Sequence, residues 1–220
     1  MKEKYSKDGK VRFEEDTHTY WLGEKQLTSV TTYISQFKAP FDSDMLAGKY
    51  AKKHGRAKAD VLQEWKEKGD HARTMGTFVH KIFEDYVLGL TPTLSDDYPK
   101  CKVAMDVIRD LFETGRLIPV ETEYIAYNDQ LAGQIDLIAR NRKGDHFILD
   151  WKTNTEIKFD NRWQDMLGPF KHLPDCSYNH YSLQLNTYRN MCLEYDIKGC
   201  FIVHLGGVGY DIFKVDPDIS

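Results

Sequence analysis

Three groups of side chains in this sequence could do chemistry together: Asp136 and Asp150 with Lys152, His80 with Glu84, and Gln184 with Tyr188. Two carboxylates brought close on neighbouring strands repel one another unless a cation or a proton lies between them. With an ammonium beside them, such a pair could hold a divalent metal next to a cationic donor. His80 and Glu84 are four residues apart, which on a helix puts them on one face about 6 Å apart along the axis. A neutral imidazole ligates divalent ions well when its other nitrogen is held by a partner. Gln184 and Tyr188, again four apart, can donate hydrogen bonds to a phosphate or hold a neighbouring ligand in place.

The elements that must position these groups can be read from the pattern around them. Val120 to Tyr127, Leu131 to Arg140 and His146 to Lys152 are runs rich in β-branched and aromatic residues, separated by NDQ and NRKGD. They predict three antiparallel strands joined by two hairpins. With the second loop symmetric about Lys143, Asp136 faces Asp150. Lys152 then shares the face of Asp150, and Ile138 and Ile148 put apolar groups on that same face. On spacing alone, the trio fits a solvated ion-pair cluster as well as it fits a metal site.

Before these strands, Val11 to Leu27 reads as a hairpin, with His18 and Trp21 as packing residues. Thr28 or Ser29 can cap a helix that Pro40 ends. Asp42 to Gly89 is helical in pattern, punctuated at Gly55, Gly69 and Gly76. In its last part Ile82, Phe83, Tyr86 and Val87 anchor the helix that carries His80 and Glu84, although that spacing alone is more often a surface pair. Trp65 reads as a core anchor. The basic run GKYAKKHGRAK is either a solvated helix face or a phosphate-binding one.

A further helix is expected from Lys100 to Thr114. Tyr178 to Glu194 forms another, and two strands joined at GGVG close the chain. Between Thr153 and Asp175 no period is visible. A loop that long in a compact domain usually gates or grips a ligand, disorder being the competing account. Lys158, Arg162, Trp163, Lys171 and His172 mix cations with an aromatic face there, a combination suited to phosphates and unstacked bases.

Composition limits the partners. With 220 residues, 41% of them hydrophobic, the chain can bury a substantial core and reads as one domain with extensions. A net charge of -4 argues against a uniformly basic nucleic-acid coat, but leaves room for a local basic groove. Cys101, Cys176, Cys192 and Cys200 contain no C-x-x-C pair and fit reduced packing residues in a cytoplasmic setting. Neither a secretory signal nor a membrane-spanning run is evident, and no membrane partner is expected.

GTFVH with Glu84, then Glu123, GQID ending at Asp136, DWKT from Asp150, and Q-x-x-x-Y at Gln184 and Tyr188 together resemble the PD-(D/E)XK nucleases. The resemblance is to the RecB-like exonuclease branch, which includes phage-encoded and mitochondrial single-strand exonucleases, and it covers roughly residues 76 to 194. It implies an α/β fold of restriction-endonuclease type: a central mixed β-sheet flanked by helices. Residues 1–75 would be an N-terminal β-hairpin and helical extension of one domain spanning 1–220, and 76–220 the catalytic core.

The resemblance also implies that His80, Asp136, Asp150 and the backbone carbonyl of Trp151 bind Mg2+ or Mn2+. Lys152 would orient or activate the attacking water, and Gln184 and Tyr188 would brace the site. Glu84 and Glu123 match acidic positions of variable role and would support these ligands or hold a second metal. Lys158, Arg162, Trp163 and Lys171 would contact DNA, single-stranded or end-bearing duplex. A single-strand-binding or recombination protein would be a partner, in a bacterial or phage-infected cytoplasm. Some relatives hold an iron-sulfur cluster through one early and three closely spaced late cysteines. The four cysteines here do not reproduce that spacing, so no cluster is expected. An endonuclease or junction resolvase on the same scaffold remains open, as does a DNA-binding assembly protein without catalysis.

Overall fold

The structure, a computed structural model, describes residues 3–219. Alternation near the N-terminus builds more than one hairpin. β1 (Glu3–Tyr5), β2 (Val11–Glu14), β3 (Thr19–Leu22) and β4 (Lys25–Ser29) form an antiparallel meander. Val11, Phe13, Tyr20 and Leu27 bury its inner side. The Ser29 hydroxyl accepts from the Thr32 N–H at 3.1 Å and so caps α1 (Val30–Ser35), which ends before Pro40. Asp42 caps α2 (Ser43–His54) in the same manner, and Gly55, with φ of +62°, stops it in the left-handed region.

One expectation fails in the next element. α3 (Lys58–Val87) is a single helix of 30 residues that runs through Gly69 and Gly76 without a break. A glycine inside a helix costs only about 1 kcal/mol relative to alanine, which the packing of a long helix overrides. Position 75/76, the expected boundary between extension and core, therefore lies inside one helix. α4 (Lys100–Val107) continues as a π-helical stretch, Ile108–Glu113, before Gly115 turns the chain with φ of +68°.

β5 (Ile118–Tyr127), β6 (Leu131–Arg140) and β7 (His146–Lys152) form the two expected hairpins. The register about Lys143 is as expected, with Leu137 opposite Leu149 and Ile138 opposite Ile148. The irregular segment then leads to α5 (Ser177–Met191), β8 (Ile197–Leu205) and β9 (Tyr210–Lys214). That segment is ordered against the core, since Ile157, Met166 and Phe170 are buried and the Leu167 N–H donates to the Phe37 carbonyl at 2.7 Å. β8 lies parallel to β7, and β9 is antiparallel to β8.

The result is a mixed, mostly antiparallel sheet of nine strands flanked by helices, an α/β fold. Two core layers sandwich its centre. On one face Ile138 and Ile148 meet Leu183, Leu185 and Tyr188 of α5, with Val30 and Ile34 of α1. On the other, Leu137, Leu149 and Trp151 meet Val79, Ile82 and Phe83 of α3 and the residues of α4. Cys101 packs in the second layer, and Cys192 and Cys200 in the first. Among the described residues no helix is long and apolar enough to cross a membrane.

β6 is the hub. One of its edges is taken by β5 along nearly its whole length. Along the other, β4 pairs in parallel with Leu131 and Ala132, while β7 pairs only with Leu137 to Arg140. Gly133 to Asp136 therefore lie where β4 and β7 part company. Main-chain groups in such a gap must find partners other than a strand, and side chains converge there.

Candidate metal centre

His80 from α3, Glu123 from β5 and Asp136 from β6 bring one ligand atom each to within 4.8 Å of one another. The open edge of β6 makes this possible. Asp136 Oδ2 accepts from the Trp151 N–H at 2.8 Å, replacing the ladder bond that β7 no longer makes. Asp136 Oδ1 lies 3.4 Å from His80 Nδ1, and His80 Nε2 lies 3.2 Å from the Trp151 carbonyl oxygen. The ring of Trp151 stacks on Phe83 of α3, centroids 3.8 Å apart, and locks helix to strand beside the imidazole.

Gly76, expected as a break, has a packing use in the same contact. A Cβ there would come 3.3 Å from Thr153 Oγ1, so glycine lets α3 approach the chain just past β7. Lys100 donates to the Thr153 and Asn154 carbonyls at 2.7 and 3.2 Å and holds that exit in place.

Glu123 enters the site through an unusual backbone. Its φ is +52° in the middle of β5, a region that non-glycine residues occupy at a cost of about 1–3 kcal/mol. The register of β5 on β6 is the same on both sides of it. The surrounding sheet thus holds the distorted residue in place.

The charges are strongly interdependent. Burial raises the Glu123 carboxyl to about 7, and the Asp136 charge adds to it. Burial would lower His80, but the adjacent Asp136 carboxylate outweighs it and holds the imidazole near 9. Burial would raise Asp136 in turn, and the charges of His80 and Lys152 hold it below the usual carboxylate range. Burial raises Asp150 to about 6 against the pull of Lys152, with the Asp136 charge adding to the rise.

Asp150 itself lies beside the cluster, 2% exposed, with its Oδ2 paired to Lys152 Nζ. The Lys152 ammonium is thus the partner of this buried carboxylate oxygen. Lys152 Nζ sits 4.7 Å from the centre of the Tyr181 ring. A set of two carboxylates and an imidazole brought this close could hold a divalent cation. Glu123 stands among the clustered donors, whereas Asp150 stands next to Lys152 and outside that cluster.

Of the other expected residues, Tyr188 is buried against Gly133, the first residue of GQID. A Cβ at Gly133 would lie 2.6 Å from the tyrosine ring, so only glycine fits beneath it. Gln184 donates to the Tyr188 hydroxyl at 3.3 Å. Glu84 is one turn from His80 and pairs with Lys81 at 3.1 Å and Lys4 at 3.6 Å. Lys158 and Arg162 lie on the surface near Glu156 and Asp160, and Trp163 is 95% exposed. Lys171 is exposed as well. The structure does not bring these four to the acidic cluster.

Three residues at the site carried no usable signal in the sequence. Lys4 of β1 reaches Glu84 and also Glu123, at 3.7 Å. Tyr181 lies under Lys152. His18, expected to pack, does contact the ring of Phe13 edge-on at 5.1 Å, yet it is exposed and has φ of +52°. It lines two cavities of the cleft, one of ≈ 490 Å³ with His80, Glu84 and Glu123, and one of ≈ 220 Å³ with Asp136 and Tyr188. An unusual backbone angle in a turn is invisible in the residue type.

No family model matches this sequence, and no curated protein matches it. Among solved structures, that titled "Crystal structure of SSO0001" is similar at 15% identity, covering 89% of this chain and 69% of that chain, with a TM-score of 0.35. A likeness that distant carries no argument about function.

Proposed function

We propose that this protein is a divalent-metal-dependent nuclease that hydrolyses phosphodiester bonds in DNA, acting at chain ends. The observation that carries this reading is the convergence of His80, Glu123 and Asp136 within 4.8 Å, beside the buried Asp150 and Lys152 pair. Resemblance to the RecB-like branch supports DNA as substrate and the preference for ends.

Hydrolysis of a phosphodiester needs charge neutralisation at phosphorus and a deprotonated water. His80, Glu123 and Asp136 would hold Mg2+ or Mn2+, which would supply Lewis-acid neutralisation of the phosphoryl charge. Lys152 supplies the second positive group. Burial would lower its pKa, but Asp150 and then Asp136 raise it above the ordinary lysine value. It therefore stays an ammonium at neutral pH, and acts as a donor and a charge rather than as a base. Asp150, paired to Lys152 Nζ through Oδ2, would hold that ammonium in place. Gln184 and Tyr188 support the GQID strand from the side of α5. The products would be a 5′-phosphate and a 3′-hydroxyl.

The test is digestion of end-labelled single-stranded, double-stranded and closed circular DNA with Mg2+ or Mn2+. Shortening of linear strands with circles intact is expected. Cutting of circles would replace the end-directed mode by an endonuclease or resolvase. A shift of DNA mobility with no shortening under either metal would replace catalysis by an assembly role.

A further inference from the structure

A third cavity, of ≈ 310 Å³, is lined by Lys152 and shares Thr31 with the ≈ 220 Å³ one. Its polar lining is Thr31, Lys38, Lys152, His180, Tyr181 and Gln184, and no carboxylate lines it. The volume is at the lower end of the ~300–1,000 Å³ usual for small-ligand sites.

The walls are built and braced. His180 Nε2 lies 2.5 Å from Asp175 Oδ1, which fixes the ring. Asp175 Oδ2 accepts from the Ala39 N–H at 2.8 Å, which fixes the chain next to Lys38. Both oxygens of the nearest acid are thus engaged. Among the described residues Lys38 Nζ has no carboxylate within 4.0 Å, although the residue is half-buried. Burial depresses its pKa; Asp175 opposes that, and the charge of Lys152 adds to the depression. Two ammonium groups face one cavity, and only Lys152 has a carboxylate against it. An anion between them would relieve that repulsion and regain the hydrogen bonds of a half-buried donor.

We infer that Lys38 and Tyr181, beside Lys152, form an anion subsite that holds a phosphate of the substrate strand adjacent to the one being cleaved. This rests on the nuclease reading for the identity of the anion, whereas the cavity and its charge do not depend on it. The subsite makes the cleft bipartite: chemistry at the acidic end, strand retention at the cationic end. Lys38 is a positioning residue in this scheme, acting on KM and not on the reacting atoms.

The experiment has two arms, run on the full chain with Lys38→Met and Lys38→Arg, each checked for an unchanged thermal midpoint. Without metal, thymidine 3′,5′-bisphosphate is titrated into each protein by calorimetry. Binding by the parent, at least tenfold weaker binding by Lys38→Met, and near-parent binding by Lys38→Arg are expected; equal binding by parent and Lys38→Met overturns the subsite. With Mg2+, Lys38→Met should raise KM on a single-stranded oligonucleotide at least tenfold while kcat changes less than about threefold. An unchanged KM overturns it as well. Comparing 5′-phosphorylated with 5′-hydroxyl ends distinguishes a terminal phosphate, where the Lys38→Met effect appears only with the first, from an internal one, where it appears with both. Should the parent cut no DNA yet lose bisphosphate on Lys38→Met, the nuclease reading falls and the anion site stands.

Discussion

At one end of the cleft His80, Glu123 and Asp136 come from inside α3, β5 and β6, away from their ends, and each is tied to a neighbour that belongs to the sheet or its packing. At the other end Lys38 comes from the chain beyond α1 and His180 and Tyr181 from the start of α5, braced by Asp175 from the irregular segment. The first end gathers carboxylates around an imidazole and could share a cation among them. The second is cationic and can attract a phosphodiester unaided. Rigid strands place the groups that must hold an ion to a fraction of an ångström, and helix ends and loops place those that only need to attract an anion. Retention of the strand and scission of it should therefore be separable.

The sharpest break between the two ends is at Lys152, which lines the cationic cavity and is paired to Asp150 beside the other end. Lys152→Ala should lower turnover by on the order of 10²- to 10³-fold, as loss of one preorganised donor does elsewhere. Mn2+ binding by calorimetry should change only slightly. Near-normal cleavage by this variant would remove Lys152 from the mechanism. Asp136→Asn attacks the acidic end alone. Its Mn2+ affinity should fall by more than the about 10–100-fold that loss of a ligand's supporting partner costs, with bisphosphate binding at the cationic end kept. Loss of both together would mean that the ends are not independent.

Gly133→Ala tests the support under the acidic end. The added methyl meets Tyr188, and overpacking of this kind costs about 1–3 kcal/mol, read as a lower denaturant midpoint at unchanged slope. An unaltered midpoint would show that the tyrosine can move aside freely.

The smallest effect concerns pH in metal-free protein. His80, raised to about 9 against 6.5, contributes stability that is fully present below about 6.5 and lost as pH rises through 9. Glu123, raised to about 7, and Asp150, raised to about 6, favour the folded state most below their ordinary values near 4 and lose that contribution as pH rises through 6 to 7. All three act in one direction, so the thermal midpoint should fall between pH 5 and pH 9, and Mn2+ should reverse the fall as it displaces the protons of Glu123 and His80. A midpoint flat across that range, with metal affinity equally flat, would argue against a shared cluster.

Much of this was legible because the central hairpins are local. Alternation and the NRKGD turn gave the register of β6 on β7, but the pairing ends at Leu137 and Leu149, one residue short of the expected facing of Asp136 and Asp150. The parallel pairing of β4 with Leu131 and Ala132 could not be read, since two residue pairs across a long separation leave no periodic trace. That pairing creates the gap in which the donors meet. Gly76 illustrates a different failure: its role is to admit Thr153, a contact between distant segments, whereas the sequence presents only a weak helix former. Lys4 and Lys38 sit in basic or mixed surroundings like those of many surface lysines, and only the folded chain turns one toward Glu123 and the other toward Lys152.

The left-handed backbone at Glu123 narrows what that position can tolerate. Glycine would accept the angle readily but bring no oxygen, and asparagine or aspartate would accept it better than glutamate yet fall one methylene short. A glutamate standing there against its own conformational preference suggests that reach into the cluster decides the residue, and ease of folding comes second.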